Sequence, residues 1–128
     1  MTLNDIIEEF KNEFGIISNK FVVIEEDLIN LSTSGKKYVY HPGVYVFFLE
    51  GVVVKVGRHL TNSRKRALEH IKDNTKNNEF EMASLKNNVK AKVLLFNLEN
   101  PEDYHWSASV EMFLEKRLSP IIESKRKG

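Results

Sequence analysis

The stretch Gly43–His70, GVYVFFLEGVVVKVGRHLTNSRKRALEH, decides the fold. Two runs, Gly43–Leu49 and Val52–Gly57, flank Glu50-Gly51 and are rich in β-branched and aromatic residues, the composition of half-buried strands. Loop length then sets which side chains share a face, because side chains alternate along a strand. A two-residue loop at Glu50-Gly51 pairs Val46 with Lys55 and puts an ammonium among Val44, Val46 and Phe48. A three-residue loop, Leu49-Glu50-Gly51, closes on a left-handed glycine and pairs Phe48 with Val52, Val46 with Val54, and Tyr45 with Lys55. Val44, Val46, Phe48, Val52, Val54 and Val56 then form one apolar face, and Tyr45, Phe47, Val53 and Lys55 the other. This second register buries no charge and is the expected one. Its consequence is a phenol and an ammonium side by side.

A helix follows, capped by Asn62 or Ser63, with Leu60 as an apolar staple before it. At about 100° per residue, Ala67, Leu68 and Ile71 form its apolar arc. Arg66 and His70 are four apart and stack beside that arc. A Tyr and a Lys on a sheet face, with an Arg and a His at a helix edge, are groups that can converge on one anion.

Upstream, Asn4 is positioned to cap a helix carrying Ile6, Ile7, Phe10 and Phe14, which Gly15 ends. Phe21–Ile24 reads as a short strand, Glu25–Leu31 fits helix or strand, and Ser32-Thr33-Ser34-Gly35 is a turn. Downstream, Asp73–Asn78 is a polar loop and Phe80–Leu85 a short helix. Ala91–Phe96 is a strand expected to join the hairpin as its third member, and Asn97–Asp103 turns the chain back. A last helix runs from Ser107 to Leu118 and stops at Ser119-Pro120. Val110, Phe113, Leu114 and Leu118 form its apolar arc. Glu111 projects about 20° beyond that arc, at the core's edge, while Glu115 lies further towards solvent.

The order of these residues resembles the GIY-YIG nuclease family. Gly43-Val44-Tyr45 stands for the first tripeptide and Lys55-Val56-Gly57 for the second. Arg66-x-x-x-His70 resembles the family's Arg followed by His or Tyr, and Glu111 matches the Glu of the later helix. Lys55 replaces the more usual Tyr, as in some restriction-enzyme members. The Asn often found after the Pro that follows the last helix is absent, and Pro120-Ile121-Ile122-Glu123 offers Glu123 instead. The resemblance implies a divalent metal, Mg²⁺ or Mn²⁺, on Glu111, and DNA as the partner. It implies catalytic roles for Tyr45, Lys55, Arg66, His70 and Glu111.

Such roles match the chemistry. Phosphodiester hydrolysis needs a base for water, neutralisation of developing charge and help for the leaving oxygen. One carboxylate suits Mg²⁺, which keeps waters and takes substrate oxygens. Tyr45 is a candidate general base beside Lys55, or Lys55 itself orients or deprotonates the water. Arg66 is suited to hold phosphate oxygens, and His70 to assist the leaving group or donate a hydrogen bond. Arg58, Arg64 and Lys65 are candidate DNA phosphate contacts, as against a solvated basic surface. The further basic run, Lys125-Arg126-Lys127, reads as a frayed tail. His41, His59 and His105 share no metal spacing and read as structural or surface residues, and Trp106 as a core or helix-start anchor.

The 128 residues are 41% hydrophobic with a net charge of +1, which fits one folded domain and excludes a disordered chain. Within it, residues 1–40 are expected to pack as a helix and extension on a core formed by residues 41–128. No cysteine is present, so disulfides and Cys-based metal sites are excluded and a cytoplasmic setting is expected. No apolar run reaches membrane length, and Met1-Thr2-Leu3-Asn4-Asp5 lacks the basic start of a signal peptide. The expected fold is an α/β domain of the α+β type: a small three-stranded, mainly antiparallel sheet flanked by helices. The expected function is a metal-dependent DNA endonuclease, restriction-like or repair-like. A DNA-binding module of the same fold and a protein-interaction domain are the alternatives. Target site and oligomeric state, monomer or homodimer, are left open.

Overall fold

The structure, a computed structural model, describes residues 1–124, so Lys125-Arg126-Lys127 lies outside the described residues. The central hairpin is formed by β2 (Gly43–Leu49) and β3 (Val52–His59). Its loop has two residues rather than the expected three: Leu49 pairs with Val52, and Glu50 and Gly51 take φ of 47° and 86°. Two successive positive-φ residues match the right-handed twist of the flanking strands, which is why this turn displaces the longer one. The buried lysine that a two-residue loop threatened is avoided by a β-bulge. Phe48 pairs with Val53 but Phe47 pairs with Lys55, so β3 carries one extra residue at Val54. That residue restores the side-chain parity.

Lys55 therefore does share a face with Tyr45, although the pairings differ from those expected. Val46 faces Val56 and Tyr45 faces Gly57. Val53 joins the core of Val44, Val46 and Val56, Val54 joins that of Tyr45 and Phe47, and Val52 is exposed.

The sheet has four strands, not three. β1 (Phe21–Asp27) takes in the ambiguous segment as far as Asp27, and β4 (Ala91–Leu98) lies between β1 and β2. The order is β1-β4-β2-β3, and every neighbouring pair is antiparallel. β4 is central and buried on both faces, so it reads as an almost continuous apolar run without alternation. β1 supplies an edge, so residues 1–40 contribute a strand to the sheet as well as a packed helix.

Helices cover both faces. α1 (Leu3–Phe14) and α3 (His105–Leu118) pack Ile6, Phe10, Val110, Leu114 and Leu118 against Val44, Val46, Leu94 and Phe96. On the other face, α2 (Ser63–Lys72) and two 3-10 turns, Leu28–Thr33 and Met82–Leu85, enclose Tyr45, Phe47, Val93 and Leu95. α1 is capped by Thr2, not Asn4, because Thr2 and Asp5 form a reciprocal capping box. Asn62 caps α2 through the Lys65 N–H, as expected, but Leu60 is exposed and staples nothing. The helix expected over Phe80–Leu85 is only the 3-10 turn, since a bridge between Lys76 and Glu81 holds the preceding residues extended.

Two devices fix α2 and the outer edge of the sheet. Asn97, fully buried on β4, accepts from the Ser63 hydroxyl at 2.6 Å and donates to the Tyr38 carbonyl at 2.9 Å. It thereby ties the start of α2 to the loop before β2. After α3 the chain returns along β3: Ile121 and Ile122 N–H donate to the Val53 and Val54 carbonyls at 3.1 and 2.9 Å. That covers an otherwise open sheet edge.

Gly43 has no room for a side chain, because a Cβ there would collide with the Phe96 carbonyl and with Asn97. The Phe96 carbonyl and the Asn97 Cα are backbone and cannot swing aside, and the Asn97 side chain is held by its bonds to Ser63 and Tyr38. Gly43→Ala is expected to cost about 1–3 kcal/mol. Gly35→Ala, where a Cβ meets nothing within 4 Å, should change little. Urea unfolding of the two variants beside wild type measures the difference.

Candidate active site

The site begins with the pairing of Tyr45 and Gly57 across the hairpin. A Cβ on Gly57 would collide with the ring and hydroxyl of Tyr45, so the phenol lies directly across this glycine. Glycine is required there for close approach, not for an unusual φ. Lying across Gly57 carries the Tyr45 hydroxyl over β3, and Tyr45 lines a cleft of about 670 Å³. Lys55, Arg58, Arg66, His70 and Glu111 line the same cleft. Arg64 and Lys65 do not line it. Arg64 donates to the Ser34 carbonyl at 3.2 Å, and the Lys65 side chain is exposed on the outer surface of α2.

Tyr45 Oη and His70 Nε2 share a hydrogen bond of 2.7 Å. The two residues come from different elements, and their bond closes the cleft where α2 meets the sheet. His70 Nδ1 is bonded in turn to Thr75 Oγ1 at 2.6 Å. The imidazole is thus held at both nitrogens and is 6% exposed. Its pKa is depressed from the usual 6.5 to about 4, first by burial, then by the nearby charges of Lys55 and Arg66. At neutral pH it is an uncharged imidazole.

Lys55 is 7% exposed, so it does not reach up from a half-solvated face. Arg66 stays at the rim, about two-fifths exposed, with a long 3.4 Å contact to Glu69. Across the cleft, Glu111 on α3 is 4% exposed and accepts from Arg58 Nη1 at 2.6 Å. Arg58 is therefore engaged with a protein carboxylate, where the sequence had suggested a DNA phosphate.

Glu115 departs from the solvent-facing position expected of it. Its Oε1 accepts from the Ser124 N–H at 2.5 Å, and its Oε2 is buried with no hydrogen-bond partner among the described residues. Burial raises its pKa, with Glu111 and Glu123 adding to the effect. The chain leaving α3 folds back over this side of the helix, which helical geometry alone did not reveal.

Thr75 was missed by the sequence reading. It sits in an Asn-rich polar loop and carries no motif, and its position depends on the turn after α2. His41 and His59 serve local structure: His41 Nδ1 lies 2.7 Å from the Leu98 carbonyl, and His59 Nδ1 accepts from the Asn62 N–H at 3.0 Å. His105 is exposed and Trp106 packs at the edge of the α3 core. Among the described residues no three His, Asp or Glu side chains cluster as a metal cage. None of their helices is long and apolar enough to cross a membrane.

Comparison of the chain with protein-family models, with curated proteins and with solved structures finds no match.

The His70 environment has a measurable consequence. Its folded pKa lies below the unfolded one, so the unfolded chain takes up this proton first as pH falls. The stability it contributes is complete above about 6.5 and is lost as pH drops towards about 4. Thermal melts across that window should show a steeper loss in wild type than in His70→Gln, which cannot titrate. Parallel curves would mean that His70 is not held neutral.

Proposed function

We propose that the chain is a divalent-metal-dependent endonuclease that hydrolyses DNA phosphodiester bonds, with a site of the GIY-YIG kind. The observation that carries this reading is the Tyr45–His70 hydrogen bond laid across Gly57, with Lys55, Arg66 and Glu111 on the walls of the same cleft. Two tripeptides, a helix pair and a distant glutamate, separated by up to half the chain, converge on one cavity of substrate size.

The residues divide into a base side and a charge side. Tyr45 offers a phenol oxygen to the attacking water, and the Lys55 ammonium favours the form of that phenol able to accept a proton. Arg66, at the rim, is free in geometry to turn its planar fork towards phosphate oxygens, since its contact with Glu69 is long and solvated. His70, uncharged, acts as a hydrogen-bond partner of Tyr45.

The residues present fit Mg²⁺ or Mn²⁺. Glu111 is a buried carboxylate bordering the cleft, with the exposed Glu123 also on its wall, and so small a carboxylate set suits an ion that retains waters and takes phosphate oxygens. Bound there, the cation would neutralise charge on the phosphate and the leaving oxygen. Arg58 holds one Glu111 oxygen and keeps the side chain aimed at the cleft.

The same ion pair favours a second reading, a DNA-binding module with weak or no cleavage. A carboxylate already neutralised by an arginine has less need of a metal. Cleavage assays decide between the two.

With Mg²⁺ or Mn²⁺, wild type should nick plasmid, branched or single-stranded DNA. Tyr45→Phe should cut the rate by roughly 10²–10⁴-fold with DNA affinity retained, the range for a lost general base. Glu111→Gln should abolish metal-dependent cleavage while the fold persists by circular dichroism. Arg66→Ala should weaken cleavage and salt-dependent binding together, and Arg66→Lys should restore only part. Binding without any cleavage would leave the module reading. A folded Tyr45→Phe that cleaves like wild type would end the nuclease one.

A further inference from the structure

We infer that Thr75 is a positioning residue for Tyr45: its hydroxyl donates to His70 Nδ1, fixes the imidazole proton on Nε2, and so makes His70 a donor to the phenol oxygen. This rests on the reading of Tyr45 as the proton acceptor.

Thr75 is built into its place. Its N–H donates to the His70 carbonyl at 3.0 Å, and its own carbonyl accepts from the Met82 N–H at 2.9 Å. Just before it, Asn74 adopts φ 50°, a conformation asparagine tolerates, and accepts from the Ala83 N–H at 3.0 Å. The loop is therefore tied to the helix end on one side and to the Met82–Leu85 turn on the other. The Thr75 hydroxyl is held 2.6 Å from Nδ1 by this backbone.

Direction follows from charge. A neutral imidazole has one donor and one acceptor nitrogen, and the bond at one fixes the role of the other. If Nδ1 carried the proton, Tyr45 would have to donate to Nε2, which keeps the phenol protonated. Passing that proton to His70 would create an imidazolium facing Lys55 from β3 and Arg66 from its own helix, in a buried position. Both cations oppose it. With the proton on Nε2 these conflicts vanish: Thr75 donates, His70 relays a donor without changing charge, and the phenol oxygen is stabilised as an acceptor. His70 then never takes the water's proton. The Tyr45 phenolate, formed by prior loss of the phenol proton to solvent, takes it instead, and the Tyr45 O–H bond re-forms as the water O–H bond breaks.

Two measurements on the whole chain test this without requiring cleavage. Nitrogen-15 NMR of the His70 side chain at neutral pH should find Nε2 protonated and Nδ1 a hydrogen-bonded acceptor. Finding the proton on Nδ1 overturns the inference. The ionisation of Tyr45, followed at its ¹³Cζ and identified by its loss in Tyr45→Phe, should rise by about one pKa unit in Thr75→Val, a tenfold loss of phenolate. Thr75→Ser, which keeps the hydroxyl, should match wild type. If all three proteins ionise alike, Thr75 has no such role. Should Thr75→Val fail to fold, the wild-type tautomer still decides.

The nuclease reading is tested separately. Wild type without cleavage but with this tautomer and this ordering of phenol ionisation would refute the nuclease and leave the hydrogen-bond chain standing. In an active enzyme, Thr75→Val should lower kcat by about tenfold with little change in KM, and Thr75→Ser should recover it.

Discussion

One extra residue in β3 brings Lys55 to the side of the sheet that holds Tyr45. The two-residue turn at Glu50-Gly51 would by itself send Lys55 to the Val44 face, and the bulge at Val54 reverses that parity. Everything at the site descends from this local arrangement. With Lys55 opposite Phe47, Tyr45 faces Gly57, and the absent side chain lets the phenol cross the strand. Bulges kink and twist strands near functional sites because they re-aim side chains at modest cost in ladder hydrogen bonds. Here the re-aimed group is a cation that a regular hairpin would have put among valines, where burying it without a partner is expensive.

The Lys55 charge reaches both walls of the cleft. It acts with Arg66 on the neutral His70 imidazole of α2 and also on the Glu115 carboxylate of α3. α3 also contributes Glu111, neutralised by Arg58 from β3. A helix packed by Val110, Leu114 and Leu118 carries that carboxylate, so its position is fixed by apolar contacts rather than by the ion pair alone. The hydrogen-bonded groups thus stand on rigid elements, with short loops only where the polar stretch after α2 turns back.

How much was legible in the sequence follows from the range of each interaction. Local periodicity placed the hairpin strands, α2 and its Asn62 cap, β4 and α3, and put Arg66 and His70 beside one another. The hairpin register was misread because two positive-φ turn residues and a compensating bulge are equivalent, in face pattern, to a longer loop for Tyr45 and Lys55. Only the Val52–Val54 segment tells them apart, and its three valines are chemically alike. The fourth strand was half visible as Phe21–Ile24, but its partner lies some seventy positions away at β4. Glu115 and Thr75 were illegible for the same reason: each owes its environment to a turn in the chain, the return after Ser119 or the loop after Lys72, that no helical wheel contains.

The return of the chain along β3 joins two tasks in two residues. Ile121 and Ile122 occupy backbone groups of an edge strand that would otherwise be open to a second copy of the hairpin, and Ile122, Glu123 and Ser124 also border the cleft. Loosening this segment would therefore do more than widen a cavity wall. It would expose a valine-rich template to strand pairing between molecules. Opening the cleft for a bulkier occupant and keeping the protein monodisperse are opposing demands on the same short stretch.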